Sequence, residues 1–344
     1  MNLLIRLLIV LMTMVGVAWA DDNVVNIFNW GQYIPADVLN QFTKETGIKV
    51  NYTTYDSDDD LYAKLKINPH GGYDVIFPSS YYVERMAQEG MLHKLSHEKL
   101  PNTKYLNPKL LSQSYDPNNQ YDFPFAWGTV GIVVNDRFIN PRSISRWKDL
   151  WSTRFRDRLL LADDVRDIFS VALRALGYSI NTRHPVQIQQ AYVKLRHLLP
   201  NAKLFDANSA QQVYCDDDAY VGVSENGDAN EAHTCNPHIR YIYPKDGPIG
   251  WMDSVSIPKY APHLSNAYRF INFIYRPDVG AKIQQYNQFS TPNLAAIKLL
   301  PASVRQNPII NPSPNDIKGI EFEGYVGDAN PIYEQYWELL RLES

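Results

Sequence analysis

Short apolar runs alternate with helical patterns along the first hundred residues. Residues 24–28, Val-Val-Asn-Ile-Phe, read as a strand. Residues 35–46 read as a helix, with Pro35 at the start and Gly47 just past the end. Residues 48–55 alternate like a strand, 58–66 are helical, 73–77 are a strand, and 80–89 form a helix closed by Gly90. This β-α-β-α-β order predicts a mostly parallel sheet with helices on both faces. After a looser Pro- and Asn-rich stretch over 100–122, strands are predicted at 130–135, 159–161, 239–243 and 254–257. Helices are predicted at 165–176, 187–199, 264–275, 278–286 and 331–342. Two α/β lobes, with the chain crossing between them more than once, fit this order. In open α/β sheets ligands sit beyond the carboxyl ends of the strands, so the residues just after each strand deserve the closest reading.

The N-terminus changes where such a fold would work. Residues 1–20 carry one positive charge, Arg6, then a long apolar run, and end in Ala18-Trp19-Ala20 before Asp21-Asp22. That is the pattern of a cleaved signal peptide; an uncleaved signal anchor is the alternative. No Cys lies near the cleavage point, so a lipid-anchored start is not expected. No other stretch approaches the ~20 apolar residues of a membrane span.

Composition adds limits. At 344 residues, 45% hydrophobic and 20% charged, the chain has an ordinary soluble globular composition, and its length suggests two domains. The net charge is −4, and losing Arg6 leaves 32 basic against 37 acidic residues. No Lys/Arg run tracks phosphates, which argues against a nucleic-acid partner. The only cysteines are Cys215 and Cys235. In an oxidising compartment they are a disulfide candidate, worth about 3 kcal/mol in the chain-entropy picture. A competing metal reading rests on nearby His233, His238 and Asp216 to Asp218, but the spacing matches no standard zinc pattern.

Four constellations could carry chemistry. Asn29-Trp30-Gly31-Gln32-Tyr33 follows the first strand and could line a cleft or pack a strand–helix corner. Pro78-Ser79-Ser80-Tyr81-Tyr82 follows the third strand; either Ser suits an N-cap, and the paired tyrosines are also what ferric-ion receptors use. Asp164 and Asp167 share one face of a first helical turn. Capping explains them, although one oxygen can cap while another faces a ligand. Trp251 and Asp253 are two apart on a strand and share a face. An unpaired carboxylate on a core face would be costly, so this pair points to a cleft. Carboxylates among aromatic faces, with Arg166 the sole base in these motifs, suit a flexible cation with apolar spacers: a protonated polyamine. G-x-S-x-G, Walker A, G-x-G-x-x-G and H-E-x-x-H are all missing, and no positive case for an enzyme or a cofactor exists. His93 and His97, four apart in a polar segment, read as a solvated pair.

At these residues the chain resembles the periplasmic spermidine/putrescine-binding proteins of polyamine ABC transporters. The matching stretches include Phe28-Asn29-Trp30 with Tyr33, residues 41–50 (QFTKETGIKV), residues 62–66 (YAKLK) and Pro78-Ser79 with Tyr81-Tyr82-Val83. They continue through Leu159-Leu160-Leu161 with Asp163-Asp164, Trp251-Met252-Asp253-Ser254 and residues 291–296 (TPNLAA). The resemblance implies a two-lobed type II periplasmic-binding-protein fold, with an interlobe ligand cleft and a hinge. It implies lobes of 21–129 with 256–300, and 130–255 with 301–344. It implies a monomeric, non-catalytic receptor in the periplasm whose partners are a polyamine and the membrane permease of an ABC importer. Ligand contacts carry over to Trp30, Tyr33, Ser79, Tyr81, Asp164, Asp167, Trp251 and Asp253. Asp164 and Asp167 would take a primary ammonium and Asp253 an internal amine, with Trp251 along the methylenes.

Four matched positions depart from the spermidine-preferring pattern. An acid appears here as Gln32, a stacking Trp as Glu225, a Tyr as Phe289 and a Gln as Glu323. One carboxylate is lost and two are gained, with Asp228 a third candidate. This implies a cleft re-tuned for a longer or more highly charged polyamine, unless Glu225 and Glu323 pair with local Lys or Arg.

Overall fold

A computed structural model describes residues 23–206 and 209–343. The predicted signal segment, residues 1–20, lies outside the described residues. The strands are β1 (Val24–Trp30), β2 (Lys49–Tyr55), β3 (Val75–Ile76), β4 (Asp122–Asn135), β5 (Leu159–Leu161), β6 (Ala202–Phe205), β7 (Val221–Glu225), β8 (Ile239–Ile242), β9 (Ile249–Ser256) and β10 (Glu321–Phe322). They form one sheet in the order β2-β1-β3-β9-β4-β7-β5-β6, with β10 on β9 and β8 on β4.

The sheet is mixed, which corrects the mostly parallel expectation. The β1–β2, β1–β3, β5–β6, β5–β7 and β9–β10 pairs are parallel. The β3–β9, β4–β9, β4–β7 and β4–β8 pairs are antiparallel. The cause is that β4 and β9 run antiparallel to each other, and to β7 and β3 on their far sides, through the middle of the sheet. β4 begins at Asp122 rather than Val130, and all of its residues are buried. A strand covered on both faces shows no apolar–polar alternation.

Two large apolar cores flank these crossing strands. Phe123, Phe125 and Ala126 of β4 belong to one, with Val25, Ile27, Phe42, Val255 and the helices Leu264–Ile274 and Pro277–Asn287. Val130, Ile132 and Val134 belong to the other, with Trp147, Phe169, Ile249, Tyr333 and the helices Val165–Leu176 and Pro185–Arg196. β4 and β9 thus pass from one core to the other, and Trp251 and Asp253 of β9 lie at the crossing.

Local rules shape the elements that border this face. The helix Ala36–Thr46 ends at Gly47, whose φ of 74° is left-handed and donates its N–H to the Thr43 carbonyl. The helix Val165–Leu176 is capped by Asp164 and ends at Gly177 with φ 81°. Cys215 and Cys235 are joined by a disulfide that ties the ends of the helices Ala210–Cys215 and Asn226–Cys235. The histidines of the metal reading have other partners: His233 Nδ1 meets the Ile239 carbonyl at 3.0 Å and His238 Nδ1 meets Asp136 at 2.8 Å.

Candidate ligand-binding cleft

Strand ends and helix starts from both cores meet around a cavity of about 250 Å³. Its walls include Trp30, Tyr33, Ser79, Tyr81, Asp164, Asp167, Glu225, Trp251, Asp253 and Glu323, ten of the residues anticipated above. Arg166, Ser80 and Met252 complete it. Gln32 does not line it: the residue is exposed and sits at φ 56° in the turn after β1. Phe289 stands behind the wall, edge-on to Trp251 at 5.1 Å and 5.5 Å from Tyr33.

Asp253 is the centre. Two residues along β9 from Trp251, it shares that side chain's face, and it is 6% exposed. Ser79 donates its hydroxyl to Asp253 Oδ1 at 2.9 Å, and Tyr33 donates its phenol to Oδ2. Burial pushes the Asp253 carboxyl up to about 6, and the two hydroxyls hold it back from going further. Burial, then the adjacent Asp253, pushes the Tyr33 phenol well up, so it stays a donor.

The serines of the third strand's end do not cap the helix Ser80–Gln88, contrary to expectation. Ser79 goes to Asp253, and Ser80 donates to the Glu323 carbonyl at 2.5 Å. Both hydroxyls link this helix to segments that cross the cleft, and the cap is given up for that link.

Aromatic walls are set by close approach. Trp251 pairs across to Gly128 in β4. A Cβ at Gly128 would stand 2.4 Å from the Trp251 ring and from Asn226 Oδ1, so only glycine lets the indole lie down there. The Trp251 indole N–H is buried without a partner among the described residues. Trp30 is pinned by its indole N–H to the Phe77 carbonyl at 2.9 Å and packs on Tyr55 at 4.7 Å. Tyr81 and Tyr82 diverge. Tyr81 lines the cavity, whereas Tyr82 donates to Asp59. Burial raises both phenols.

The remaining carboxylates come from the second core's side. Asp164 Oδ1 accepts the N–H groups of Arg166 and Asp167 at 2.7 and 2.9 Å, which leaves Oδ2 clear on an exposed residue. Capping and ligand-facing roles are therefore compatible. Asp167 is pushed well up by burial, then by Asp164, Glu323 and Glu225. Glu225 is pushed well up by burial, then by Asp228 and Asp253. Glu323, 8% exposed, is raised to about 7 by burial, opposed by nearby Arg166; Ser170 is its hydrogen-bond donor at 3.5 Å.

Arg166 offsets one of these charges without forming an ion pair with any of the five carboxylates. Its guanidinium donates to the carbonyls of Gly324 at 3.2 Å and Ile180 at 3.4 Å, and to Asn181 Oδ1 at 3.0 Å. It also lies over Tyr333 at 5.6 Å. These bonds hold the 321–325 segment, and hence Glu323, in place. A second chamber of about 290 Å³ adjoins the first, and Tyr81, Asp164 and Arg166 line both. Its acids are Asp58, Asp59 and Glu334, which the sequence reading missed because they come from separated segments with no common pattern. Burial raises Asp58 to about 7.

Residues 37–312 match the family described as bacterial extracellular solute-binding protein. The spermidine/putrescine-binding periplasmic protein of Escherichia coli K12 is 42% identical over 93% of this chain and 92% of its own length. The putrescine-binding periplasmic protein SpuD of Pseudomonas aeruginosa is 33% identical over 88% of each chain. The solved spermidine/putrescine ABC transporter substrate-binding protein PotD of Streptococcus pneumoniae superposes with a TM-score of 0.85 at 33% identity, covering 93% of this chain and 99% of its own.

Proposed function

The chain belongs to the bacterial extracellular solute-binding protein family, and we propose that it binds a protonated polyamine and delivers it to an ABC importer. The observation that carries this reading is the cleft's charge. Five carboxylates line the cavity against one guanidinium, and that guanidinium is engaged by carbonyls. Ammonium groups answer carboxylates with charge-assisted hydrogen bonds. Aromatic faces add about 0.5–2 kcal/mol per cation, and each methylene buried adds about 0.8 kcal/mol.

In this reading Asp164 and Asp167 take a primary ammonium, the former through its clear Oδ2. Asp253, oriented by Ser79 and Tyr33, takes an internal amine. Trp251, Trp30, Tyr33 and Tyr81 flank the methylenes. Ligand stabilises the closed arrangement of two lobes, 21–129 with 256–300 and 130–255 with 301–344, in a hinge motion. The split is supported by β4 and β9 each contributing to both cores. The relatives' names support a periplasmic receptor with a permease partner and no catalysis. We expect export by a cleaved signal peptide and a monomeric receptor.

The test is uptake of radiolabelled spermidine and putrescine by cells with and without this protein. Uptake should fall at least tenfold without it and return with the wild-type copy but not with Asp253→Asn. Unchanged uptake in the deletion, other importers being disabled, would remove the transport role.

A further inference from the structure

We propose that the cleft selects a linear tetra-amine over a diamine, and that Glu225 and Glu323 enforce this choice. The inference rests on the polyamine reading and adds a charge count to it. With every cavity group ionised, five carboxylates and one guanidinium demand four compensating charges. Amine pKa values of about 10 keep each ligand nitrogen charged near neutral pH. A diamine therefore leaves two carboxylates unanswered, and a tetra-amine leaves none.

Among the described residues Arg166 is the one cation acting on Glu323, and none acts on Glu225. Among the described residues neither forms an ion pair with Lys or Arg, which disposes of local pairing as their purpose. The charged groups facing Glu225 are Asp228 on the helix that follows it, Asp253 on β9, Glu323 and Asp164, all acidic. Glu323 faces Asp164 and the engaged Arg166. Ionised carboxylates gathered around one cavity repel one another unless a cation or a proton intervenes. A ligand of low charge must leave protons in place, whereas a highly charged one displaces them.

A second chamber borders the first: Tyr81, Asp164 and Arg166 line both, and Asp58, Asp59 and Glu334 make its lining acidic too. Arg85 there is already paired with Glu89 at 3.4 Å. The wall shared by the two cavities thus has carboxylates on both sides.

Calorimetric titration of the mature protein with putrescine, spermidine and spermine at pH 7 tests this. Wild-type affinity should rise at least tenfold from putrescine to spermine. Glu225→Gln and Glu323→Gln should each lower the spermine-to-putrescine affinity ratio at least fivefold. Equal wild-type affinities, or variants that weaken all three amines alike, would overturn the proposal. A second readout needs only the wild type: protons released on binding, taken from heats in phosphate and in Tris, should increase from putrescine to spermine. Equal release overturns the charge count. Binding of putrescine and spermidine without this selectivity leaves the polyamine reading standing and removes only the present inference; no binding by any amine removes both.

Discussion

Replacing Asp253 with Asn should weaken ligand binding and stabilise the empty protein, two effects of opposite sign from one side chain. The carboxyl is 6% exposed and raised by burial to about 6. An ordinary Asp ionises near 3.9, so the folded state holds this proton across roughly two units in which the unfolded chain releases it. Because the folded state binds more protons there, stability falls as pH rises from about 4 to about 6, then stays lowered. At 1.36 kcal/mol per unit the ionised group costs up to about 3 kcal/mol. Asn removes that cost while its amide can still accept from Tyr33 and donate to Ser79. Thermal unfolding of ligand-free protein should show Asp253→Asn melting about 5 °C higher at pH 8, with little difference at pH 4. In the presence of polyamine the order reverses. A hydrogen bond to a charged group is worth about 1.5–3 kcal/mol, so affinity should fall more than tenfold in calorimetry. An Asp253→Asn protein that binds as tightly as wild type, or whose empty form is less stable at pH 8, would refute the reasoning.

Other outcomes follow from the same geometry. Polyamine affinity should climb between pH 5 and pH 8 and then level, because Asp253 and Glu323 ionise near 6 and 7 and only their charged forms hold ammonium; calorimetry across that range reads it, and a flat profile contradicts the carboxylate account. Gly128→Ala should push the Trp251 ring off β4, costing about 1–3 kcal/mol of stability and changing tryptophan fluorescence on ligand addition; an unaltered spectrum and melting curve would show that the contact gives way freely. Replacing both Cys215 and Cys235 with Ser should cost about 3 kcal/mol in denaturant unfolding while polyamine affinity stays within a few-fold, since the disulfide ties two helix ends and no cavity wall.

The helices and strands of residues 24–88 were legible because caps and left-handed glycines punctuate them, Gly47 and Gly90 above all. Legibility failed where burial is two-sided or the elements are short. β4 hides its first half, Asp-Phe-Pro-Phe-Ala-Trp-Gly, because every position is covered and Pro124 and Gly128 read as breakers. β7 and the helix Asn226–Cys235 carry Ser, Asn, Gly and Asp, which read as loop, and tertiary packing overrides that preference. The direction of β4 and β9 could not be read from an element order that counts strands without pairing them.

For the site, Trp251 and Asp253 were readable from strand periodicity, since a charge on a buried strand needs a reason. Ser79 and Ser80 fitted a cap rule that three-dimensional proximity to Asp253 and Glu323 then overrode. Gln32 turns outward because the residue adopts a left-handed backbone after β1, a property no spacing rule reveals for Gln.

The most direct test of the central claim is titration of purified protein, freed of bound ligand by unfolding and refolding, with spermidine at pH 7.5. The account predicts saturable binding of one spermidine per chain at micromolar or tighter affinity, abolished in the double variant Asp164→Asn, Asp253→Asn. Absence of binding to spermidine, putrescine and spermine alike by a folded protein would contradict it.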